Sequence, residues 1–282
     1  MNVTIITDKP TVAVLAEPVL QPAGITQMLE WVKSHRPECV PDEGVGDYHD
    51  LFPHKIEAQL NGGRTPTDNE LLVELAGRKC YDSFGVKAGR KTNKEYIENT
   101  QSGTIKHASI LYHAKFTFFI GGISRRVSHE LIRNYVGADR DEEGSPSQES
   151  TRFTHHYGWF VAPPKILGSP RKIESFREAM QDAYDEYQDY IDRECSEYED
   201  VHGVQPKGMD KKRIYESASH YLPHSAETSF LWTTNPMAMM KIFRERGDEA
   251  ADAEFRRLVN EVWKPLCLSR WPNLFPGYHE TK

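Results

Sequence analysis

Phe116-Thr117-Phe118-Phe119-Ile120 decides the fold, because an unbroken run of aromatic and β-branched residues is typical of a buried strand. Gly121-Gly122 is expected to end this strand, and Ser124 then opens an amphipathic helix. The apolar positions of that helix are Val127, Leu131 and Ile132. The sequence therefore predicts a central strand that leads directly into a helix with several charged side chains.

Shorter patterns of the same kind predict the remaining elements. The expected further strands are Val3–Ile6, Val12–Leu15 and Ser229–Thr234. Apolar residues at helical spacing predict helices at Ile25–Val32, Asp68–Cys80, Arg171–Tyr198, Lys211–Tyr221 and Met237–Leu266. A charged loop is expected from Gly137 to Ser147. A few strands with several helices are typical of the α+β or α/β class.

The region from Gln21 to Thr67 differs from the rest of the chain. Its apolar pattern is broken by prolines, namely Pro22, Pro37, Pro41, Pro53 and Pro66. We expect a peripheral insertion or lid here rather than a second domain, so that residues 1–282 form a single domain.

The composition excludes several classes of protein. Of the 282 residues, 38% are hydrophobic and 27% are charged, which is ordinary for a globular protein and unlike a disordered chain. The net charge of −7, from 35 basic and 42 acidic residues, disfavours binding to a long nucleic acid, which needs a basic face. No apolar run approaches the roughly 20 residues of a membrane-spanning helix. A secretory signal is not expected either.

The cysteines and histidines predict no metal site. The four cysteines lie far apart, without a CxxC pair and without histidines at metal-binding spacing. His155-His156 is adjacent in sequence, and the two rings would face opposite sides of a strand. This pattern suits a reducing cytoplasm, with neither a structural disulfide nor a metal.

Two arginine-containing segments carry the chemistry that the residues alone suggest. Arg133-Asn134-Tyr135 ends the helix after the central strand, and Ser147-Gln148-Glu149-Ser150-Thr151-Arg152 follows the acidic loop. Arginine binds phosphate or carboxylate through two parallel N–H donors, and neighbouring hydroxyls and backbone amides add further donors. Such a segment suits a nucleotide phosphate, but an ordinary exposed turn has the same composition. Hydrolase, P-loop, Rossmann and zinc-protease motifs are absent, so local motifs specify no reaction.

Taken in order, these segments resemble the flavin-dependent thymidylate synthase family. The family signature is Arg-His-Arg, seven residues, and then Ser-x-Arg with an aromatic residue. Arg133-Asn134-Tyr135 stands at the triplet, and Ser150-Thr151-Arg152-Phe153 matches the second half. The other matching segments are Ala76–Asp82, His107–Phe118, Leu222-Pro223, Thr234-Asn235 and Phe243–Arg246. The resemblance spans most of residues 68–264.

The departures from the family pattern concern the triplet and the phosphate contacts. Asn134 and Tyr135 replace the second and third residues of the triplet, and fourteen residues (136–149) precede Ser150 instead of seven. Glu130 stands where the family has a glutamine, and Ser219 stands where it has an arginine that grips the nucleotide phosphate. One further family arginine is replaced by Met237.

The resemblance implies an α+β, ThyX-like fold, with a central mixed or antiparallel sheet flanked by helices, assembled as a homotetramer. It implies reductive methylation of C5 of dUMP to dTMP, with bound FAD, methylenetetrahydrofolate as the one-carbon donor and NADPH as the reductant. C5 of uracil is a weak nucleophile until negative charge is drawn into the ring. The chain lacks the Pro-Cys-His element of the thiol-based route. By position, Arg246 is the implied catalytic residue, because a guanidinium stabilises that charge electrostatically.

The resemblance also implies the binding residues. Flavin contacts are implied for Ser109, Arg133, Asn134, Tyr135, Gln148, Asn235 and Lys241. Nucleotide contacts are implied for Glu130, Arg133, Ser150, Thr151, Arg152, Ser219 and Arg246. Of these, Ser150, Thr151 and Arg152 are expected to act on the site of a neighbouring subunit.

Three questions stay open at this stage. A carboxylate at position 130 repels a phosphate, so either the phosphate lies elsewhere or Glu130 contacts a sugar hydroxyl, and Arg125 and Arg126 are candidates for the missing positive charge. The substrate is dUMP by default, with C5 modification of UMP or dCMP, for an antibiotic or a modified DNA, as the alternative. A non-catalytic relative that binds a nucleotide or a partner is the third hypothesis.

Overall fold

A computed structural model describes residues 2–37, 51–52, 64–84, 91–102, 107–136 and 145–278. Within these ranges the chain forms a mixed α+β structure in which helices flank the sheets. The α+β class predicted from the sequence is therefore confirmed.

The main sheet is built on the predicted central strand. This strand, β3 (Phe116–Ser124), lies between β2 (Thr11–Ala16) and β6 (Glu227–Thr234), and β4 (Ser145–Gln148) pairs with the far side of β6. All of these pairings are antiparallel. A separate parallel pair joins β1 (Thr4–Ile6) to β5 (Trp159–Val161). The interior position of β3 explains why its sequence is so strongly apolar.

Two details of the sheet correct the sequence-based expectations. β3 does not end at Gly121-Gly122 but continues to Ser124, through an irregularity between Ile120 and Ile123 where Gly122 has φ of 72°. Glycine tolerates this left-handed conformation because it lacks a Cβ atom. β4 lies partly inside the predicted loop, since the run Ser-Pro-Ser-Gln has no apolar alternation and only its pairing with β6 makes it a strand.

The helices largely follow the predicted pattern. They are α1 (Pro22–His35), α2 (Asp68–Cys80), α3 (Asn93–Ser102), α4 (Arg125–Val136), α5 (Pro170–His202), α6 (Met209–Ala218), α7 (Pro236–Arg246), α8 (Ala253–Leu258) and α9 (Lys264–Arg270). The predicted helical region at Met237–Leu266 is divided, because α7 ends at Arg246 and a π-helical turn at Val259–Trp263 separates α8 from α9. The sequence did not predict α3, nor the 3-10 turn at Ala108–His113.

The helix α1 belongs to the region predicted to be an insertion. Ile25, Leu29 and Val32 on its inner face form a buried cluster with Leu71 of α2 and with Phe84. Residues 38–50 and 53–63 of the same region lie outside the described residues. The single domain with a peripheral insertion at 21–67 stays a prediction.

The largest hydrophobic core fixes α7 against the sheet. Phe118 of β3 meets Trp263 and Trp271 edge to face, with ring centroids 5.4 and 6.2 Å apart. The residues of α7 in this core are Met239, Ile242 and Phe243. Because these side chains are almost completely buried, α7 is a rigid element from which a functional side chain can be positioned.

A second core holds α5 and α6 against the β1–β5 pair. It contains Tyr184 and Tyr187 of α5, Phe160 of β5, and Tyr215 of α6. The hydroxyl of Tyr187 accepts a hydrogen bond from the backbone N–H of His156 (3.1 Å), and that of Tyr184 donates to the carbonyl of His156 (3.2 Å). These contacts hold the chain that follows β4 against α5.

A buried ion pair within α2 is bonded to Asn93 of α3. Arg78 donates from Nε and Nη2 to Oε1 of Glu74 (2.9 and 2.5 Å), and Asn93 donates to Oε2 of the same carboxylate (2.9 Å). The guanidinium also lies 4.8 Å from the ring centroid of Tyr96. Since Glu74 and Arg78 are 0% and 2% exposed, each charge depends on the other for compensation.

We predict that Arg78→Met lowers the free energy of unfolding by about 3–5 kcal/mol, because it leaves the Glu74 carboxylate buried without its cationic partner. The double variant Glu74→Gln/Arg78→Met should regain part of that loss, since neither charge is then buried alone. Urea unfolding of the three proteins measures the difference. If the single variant is as stable as the double variant, the ion pair has no such role.

Candidate active site

The guanidinium of Arg246 is presented by a helix that is capped at its start. Oδ1 of Asn235 accepts a hydrogen bond from the backbone N–H of Ala238 (3.0 Å), and Pro236 occupies the first helical position, where its missing N–H is not needed. Asn235 is completely buried, and its Nδ2 atom has no hydrogen-bond partner among the described residues. The eleven residues of α7 carry Arg246 roughly 16 Å away from this cap.

Arg246 meets Glu130, which lies on α4. Nη1 of Arg246 donates to Oε2 of Glu130 (3.0 Å), and the side chains are 26% and 22% exposed. The central carbon of the guanidinium lies 5.6 Å from the ring centroid of Phe255. Nε of Arg246 is buried and has no hydrogen-bond partner in the described part of the chain. A largely desolvated cation thus retains an unsatisfied donor where α4 approaches the end of α7.

The Glu130 carboxylate faces arginines from two elements. In addition to Arg246, Nη2 of Arg126 lies 3.9 Å from Oε1 of Glu130. Arg126 itself donates to Asp252 (2.7 Å), and this hydrogen bond raises the pKa of its guanidinium. The expected role of Glu130 toward a nucleotide stays a prediction, and within the chain its carboxylate contacts the implied catalytic arginine.

Arg125 and Arg126 are both engaged by other groups of the chain. Arg126 is paired with Asp252, as described above. Arg125 donates from Nη2 to the carbonyl of Glu149 (3.2 Å), and burial lowers the pKa of its guanidinium, against the opposing charges of Glu149 and Glu227. Arg125 also keeps a buried Nε without a hydrogen-bond partner among the described residues, and it lines a cavity of about 570 Å³ with Thr151 and Thr154. The roles of Arg125 and Arg126 toward a phosphate stay predictions.

The remaining triplet and flavin residues lie on α4 and β4. Arg133 is exposed on α4; Asn134 and Tyr135 are helical, but their side chains lie outside the described residues, as do positions 137–144 of the lengthened loop. Gln148 is turned toward the sheet, where Nε2 donates to the hydroxyls of Ser128 (3.0 Å) and Thr228 (3.1 Å). The roles of these residues toward a flavin stay predictions.

A cavity of about 840 Å³ lies beside α7 and includes one predicted flavin residue, Lys241. Its walls combine apolar and aromatic side chains with two cations and two carboxylates; these side chains are Tyr112, Met237, Met240, Tyr278, Lys241, Arg244, Glu95 and Glu98. Ser109 is exposed on the 3-10 turn whose residues Ala108 and Tyr112 line the cavity. No local sequence pattern indicates the aromatic members, because nothing local links Tyr112 and Tyr278 to α7.

The predicted phosphate segment forms a turn beside α6. The carbonyl of Ser150 accepts hydrogen bonds from the backbone N–H groups of Phe153 and Thr154, both at 3.0 Å. Arg152 donates from Nη2 to Glu216 of α6 (3.2 Å), with both side chains about half exposed. Ser219 follows α6, and its hydroxyl donates to the carbonyl of Glu216 (2.7 Å). The structure thus brings Arg152 and Ser219 to Glu216 of α6, whereas Arg246 has its contact with α4.

His155 and His156 face different partners, as the sequence suggested, although neither lies in a strand. Nε2 of His155 is 2.8 Å from Nε2 of Gln188, whereas the buried His156 accepts a hydrogen bond on Nδ1 from Gly158 N–H (3.2 Å). The described residues contain no group of histidines, cysteines and acids that could hold a metal ion. No described helix is both long enough and apolar enough to cross a membrane.

Comparison with known proteins identifies relatives over most of the chain. Residues 64–273 match the model of a family described as thymidylate synthase complementing protein. A flavin-dependent thymidylate synthase from Mycolicibacterium vanbaalenii is 35% identical over 210 residues, which cover 73% of this chain and 78% of the relative. Another from Corynebacterium aurimucosum is 30% identical over 232 residues, covering 81% and 87% of the two chains.

The fold is shared with a solved structure of much lower sequence identity. The UMP/dUMP methylase PolB from Streptomyces cacaoi, bound with 5-Br dUMP, matches with a TM-score of 0.59 at 14% identity, covering 96% of this chain and 95% of that chain. At this level of identity the match concerns the fold alone.

We predict an energetic coupling of about 1 kcal/mol between Glu130 and Arg246, because both partners are mostly shielded from solvent. A double-mutant cycle of Glu130→Gln and Arg246→Gln, followed by urea unfolding, measures it. The matched control is the exposed pair of Arg244 and Glu245 on the same helix, at 3.7 Å, which should couple by less than about 0.5 kcal/mol. Equal coupling in the two cycles would contradict the prediction.

We also predict that His156 makes the protein less stable in acid. Burial lowers the pKa of His156 from 6.5 to about 4, so between these pH values the unfolded chain takes up a proton that the folded chain does not. The free energy of unfolding should therefore decrease by about 3 kcal/mol as the pH falls from 6.5 to 4.

The variant His156→Asn tests this, because its amide oxygen can still accept from Gly158 N–H without titrating. Its free energy of unfolding should depend less on pH than that of the wild type between pH 6.5 and 4. The comparison at pH 8, where the imidazole is neutral in both states, gives the packing cost of the substitution. Parallel pH profiles for the two proteins would rule out a buried neutral His156.

Proposed function

The chain belongs to the thymidylate synthase complementing protein family, and on that premise we propose that it is a flavin-dependent thymidylate synthase that methylates C5 of dUMP to give dTMP. The one-carbon donor is methylenetetrahydrofolate and the reductant is NADPH. The family match over residues 64–273 and the relatives at 30–35% identity support the reaction type. The observation that carries the proposal is Arg246, a largely desolvated guanidinium with an unsatisfied Nε–H.

Arg246 acts on the pyrimidine by electrostatic stabilisation. As C5 becomes nucleophilic, negative charge develops on the ring and its carbonyl oxygens, and a fixed guanidinium stabilises that charge. Glu130 accepts a hydrogen bond from Nη1, so other N–H donors of the guanidinium are left for a carbonyl oxygen. Glu130 and the core of α7 keep the group in place, so little reorganisation accompanies the reaction.

The described thiols favour the arginine route over thiol attack. Burial raises the pKa of Cys267 well above its ordinary value, and burial also raises the pKa of Cys195. A thiol must ionise to become a good nucleophile, so these two are poorly suited to add to the pyrimidine ring. Cys80 is exposed on α2, while Cys39 lies outside the described residues.

The size and the apolar wall of the cavity beside α7 support FAD as its occupant. A volume of about 840 Å³ lies in the range of cofactor sites, and the side chains of Met237, Met240 and Tyr112 offer an apolar surface for a flat ring system. Lys241 and Arg244 are the cations available to a pyrophosphate, and the carboxylates of Glu95 and Glu98 in the same lining oppose them. When bound there, reduced flavin supplies the electrons for the reductive methylation.

We include a homotetramer in the proposal. In one chain, Arg246 contacts α4, Arg152 contacts α6, and Lys241 lines the cavity beside α7. Residues that serve one nucleotide and one flavin must come together, and a neighbouring subunit is a simple way to supply the Ser150–Arg152 turn. The exposed apolar residues Leu15, Val19 and Leu231 are compatible with subunit contacts. The expected cytoplasmic location stays a prediction.

A second pyrimidine substrate is the alternative. The carboxylate at position 130 replaces a neutral amide of the family and changes the charge next to Arg246. The solved structure with the same fold is named a UMP/dUMP methylase. UMP and dCMP are therefore tested beside dUMP. A purified protein that is colourless and takes up no FAD would favour the non-catalytic hypothesis instead.

We predict that Arg246→Ala lowers the rate of tritium release from [5-³H]dUMP by at least about 100-fold, since it removes the group that stabilises the ring charge. Bound flavin, followed by its absorbance, should be largely retained. Arg193→Ala, an exposed arginine of α5, is the matched control and should keep the wild-type rate. Substantial turnover by Arg246→Ala would remove Arg246 from its role.

A further inference from the structure

A second cavity, of about 460 Å³, lies between α6 and the turn that follows β4. Three cationic side chains line it: Arg152 from the turn, and Lys211 and Lys212 from the first half of α6. It also includes Gly208, which precedes α6 with φ of 54° and caps the helix without a side chain. The positive end of a ten-residue helix and three cations therefore face one cavity.

The two lysines are held by aromatic rings of the same cavity. Nζ of Lys212 lies 4.9 Å from the ring centroid of Phe153, and Nζ of Lys211 lies 5.5 Å from that of Tyr215. Tyr215 is buried in the second core, so it is a firm support for Lys211. Contacts of this kind restrict the long side chains and keep the two ammonium groups near the turn.

The charges of the cavity match those of a phosphate monoester. Arg152, Lys211 and Lys212 contribute three positive charges, and Glu216, 3.2 Å from Arg152, offsets one of them. The remaining charge of +2 complements a phosphate monoester, which carries about −1.5 to −2 at neutral pH.

Lys212 also stands on the same side of α6 as Ser219, the position where the sequence lacks the expected arginine. Lys212, Glu216 and Ser219 are spaced by four and three residues, so they lie along one face of the helix and its 3-10 extension. Arg125 lines a different cavity, with Glu149 and Thr151, so the lysines that share a cavity with Arg152 are those of α6.

We propose that Lys211 and Lys212, together with Arg152, form the subsite for the 5′-phosphate of the pyrimidine nucleotide. The two lysines lie in the first half of α6 and supply the positive charge that is missing because Ser219 stands where an arginine is expected. This inference rests on the proposed function for the identity of the nucleotide. The anion-binding character of the cavity rests on the three cations alone.

The test is the double variant Lys211→Gln/Lys212→Gln in the full-length, flavin-loaded protein. Isothermal titration with dUMP should give an affinity lower than that of the wild type by about tenfold or more, the usual loss when charged hydrogen bonds are removed. Deoxyuridine, which lacks the phosphate, should bind equally to both proteins. The matched control is Arg213→Gln, a 74% exposed arginine of the same helix that does not line the cavity.

The outcomes separate this inference from the proposed function. If wild type binds dUMP and the double variant binds it equally well, the phosphate subsite is wrong and the proposed function stands. If the KM for NADPH rises instead of the KM for dUMP, the lysines serve the phosphates of the reductant and the inference is overturned. If wild type binds no pyrimidine nucleotide, the proposed function fails. Titration with inorganic phosphate then decides whether the lysines bind an anion at all.

Discussion

The ion pair between Arg246 and Glu130 is the interaction on which the proposed site depends. A guanidinium that is only about one quarter exposed would be costly without a nearby carboxylate, and at 3.0 Å Glu130 compensates its charge. The same partial desolvation strengthens the field that Arg246 exerts on a bound ring, because charges interact more strongly away from bulk water. Glu130 therefore has two opposing effects: it stabilises the position of Arg246, and it competes with an anionic substrate for it.

The rest of the fold serves to position this pair and its neighbours. The Phe118, Trp263 and Trp271 core fixes α7 against the sheet, and the Asn235 cap defines where the helix begins. The cavity proposed for a flavin is lined by Lys241 of the same helix. Tyr184 and Tyr187 of α5 pack with Tyr215 of α6 in the second core, and this packing fixes the helix that carries the two lysines. Rigid helices thus carry the cations, while a turn supplies Arg152.

Sequence patterns predicted the elements whose own residues determine them. The run at Phe116–Ile120, the bounds of α2 and the long helix α5 follow from local apolar spacing, and the family match confirms the resemblance suggested by Ser150–Phe153 and Phe243–Arg246. β4 was missed because its residues have no strand pattern.

The partner of Glu130 and the convergence of Lys211 and Lys212 on Arg152 were not predictable, since they depend on helices meeting in space. Two adjacent lysines at the start of an amphipathic helix look the same in sequence whether they face water or a ligand.

Chemical rescue tests the central claim most directly. If a guanidinium makes the pyrimidine reactive, the variant Arg246→Gly, loaded with flavin, should recover release of tritium from [5-³H]dUMP when free guanidinium is added at millimolar concentration. The rate of the variant should reach a plateau as the guanidinium concentration rises, and a potassium salt at equal ionic strength should not restore it. Added guanidinium should not accelerate the wild-type protein, which has its own guanidinium. Full turnover by Arg246→Gly without any added guanidinium would contradict the account.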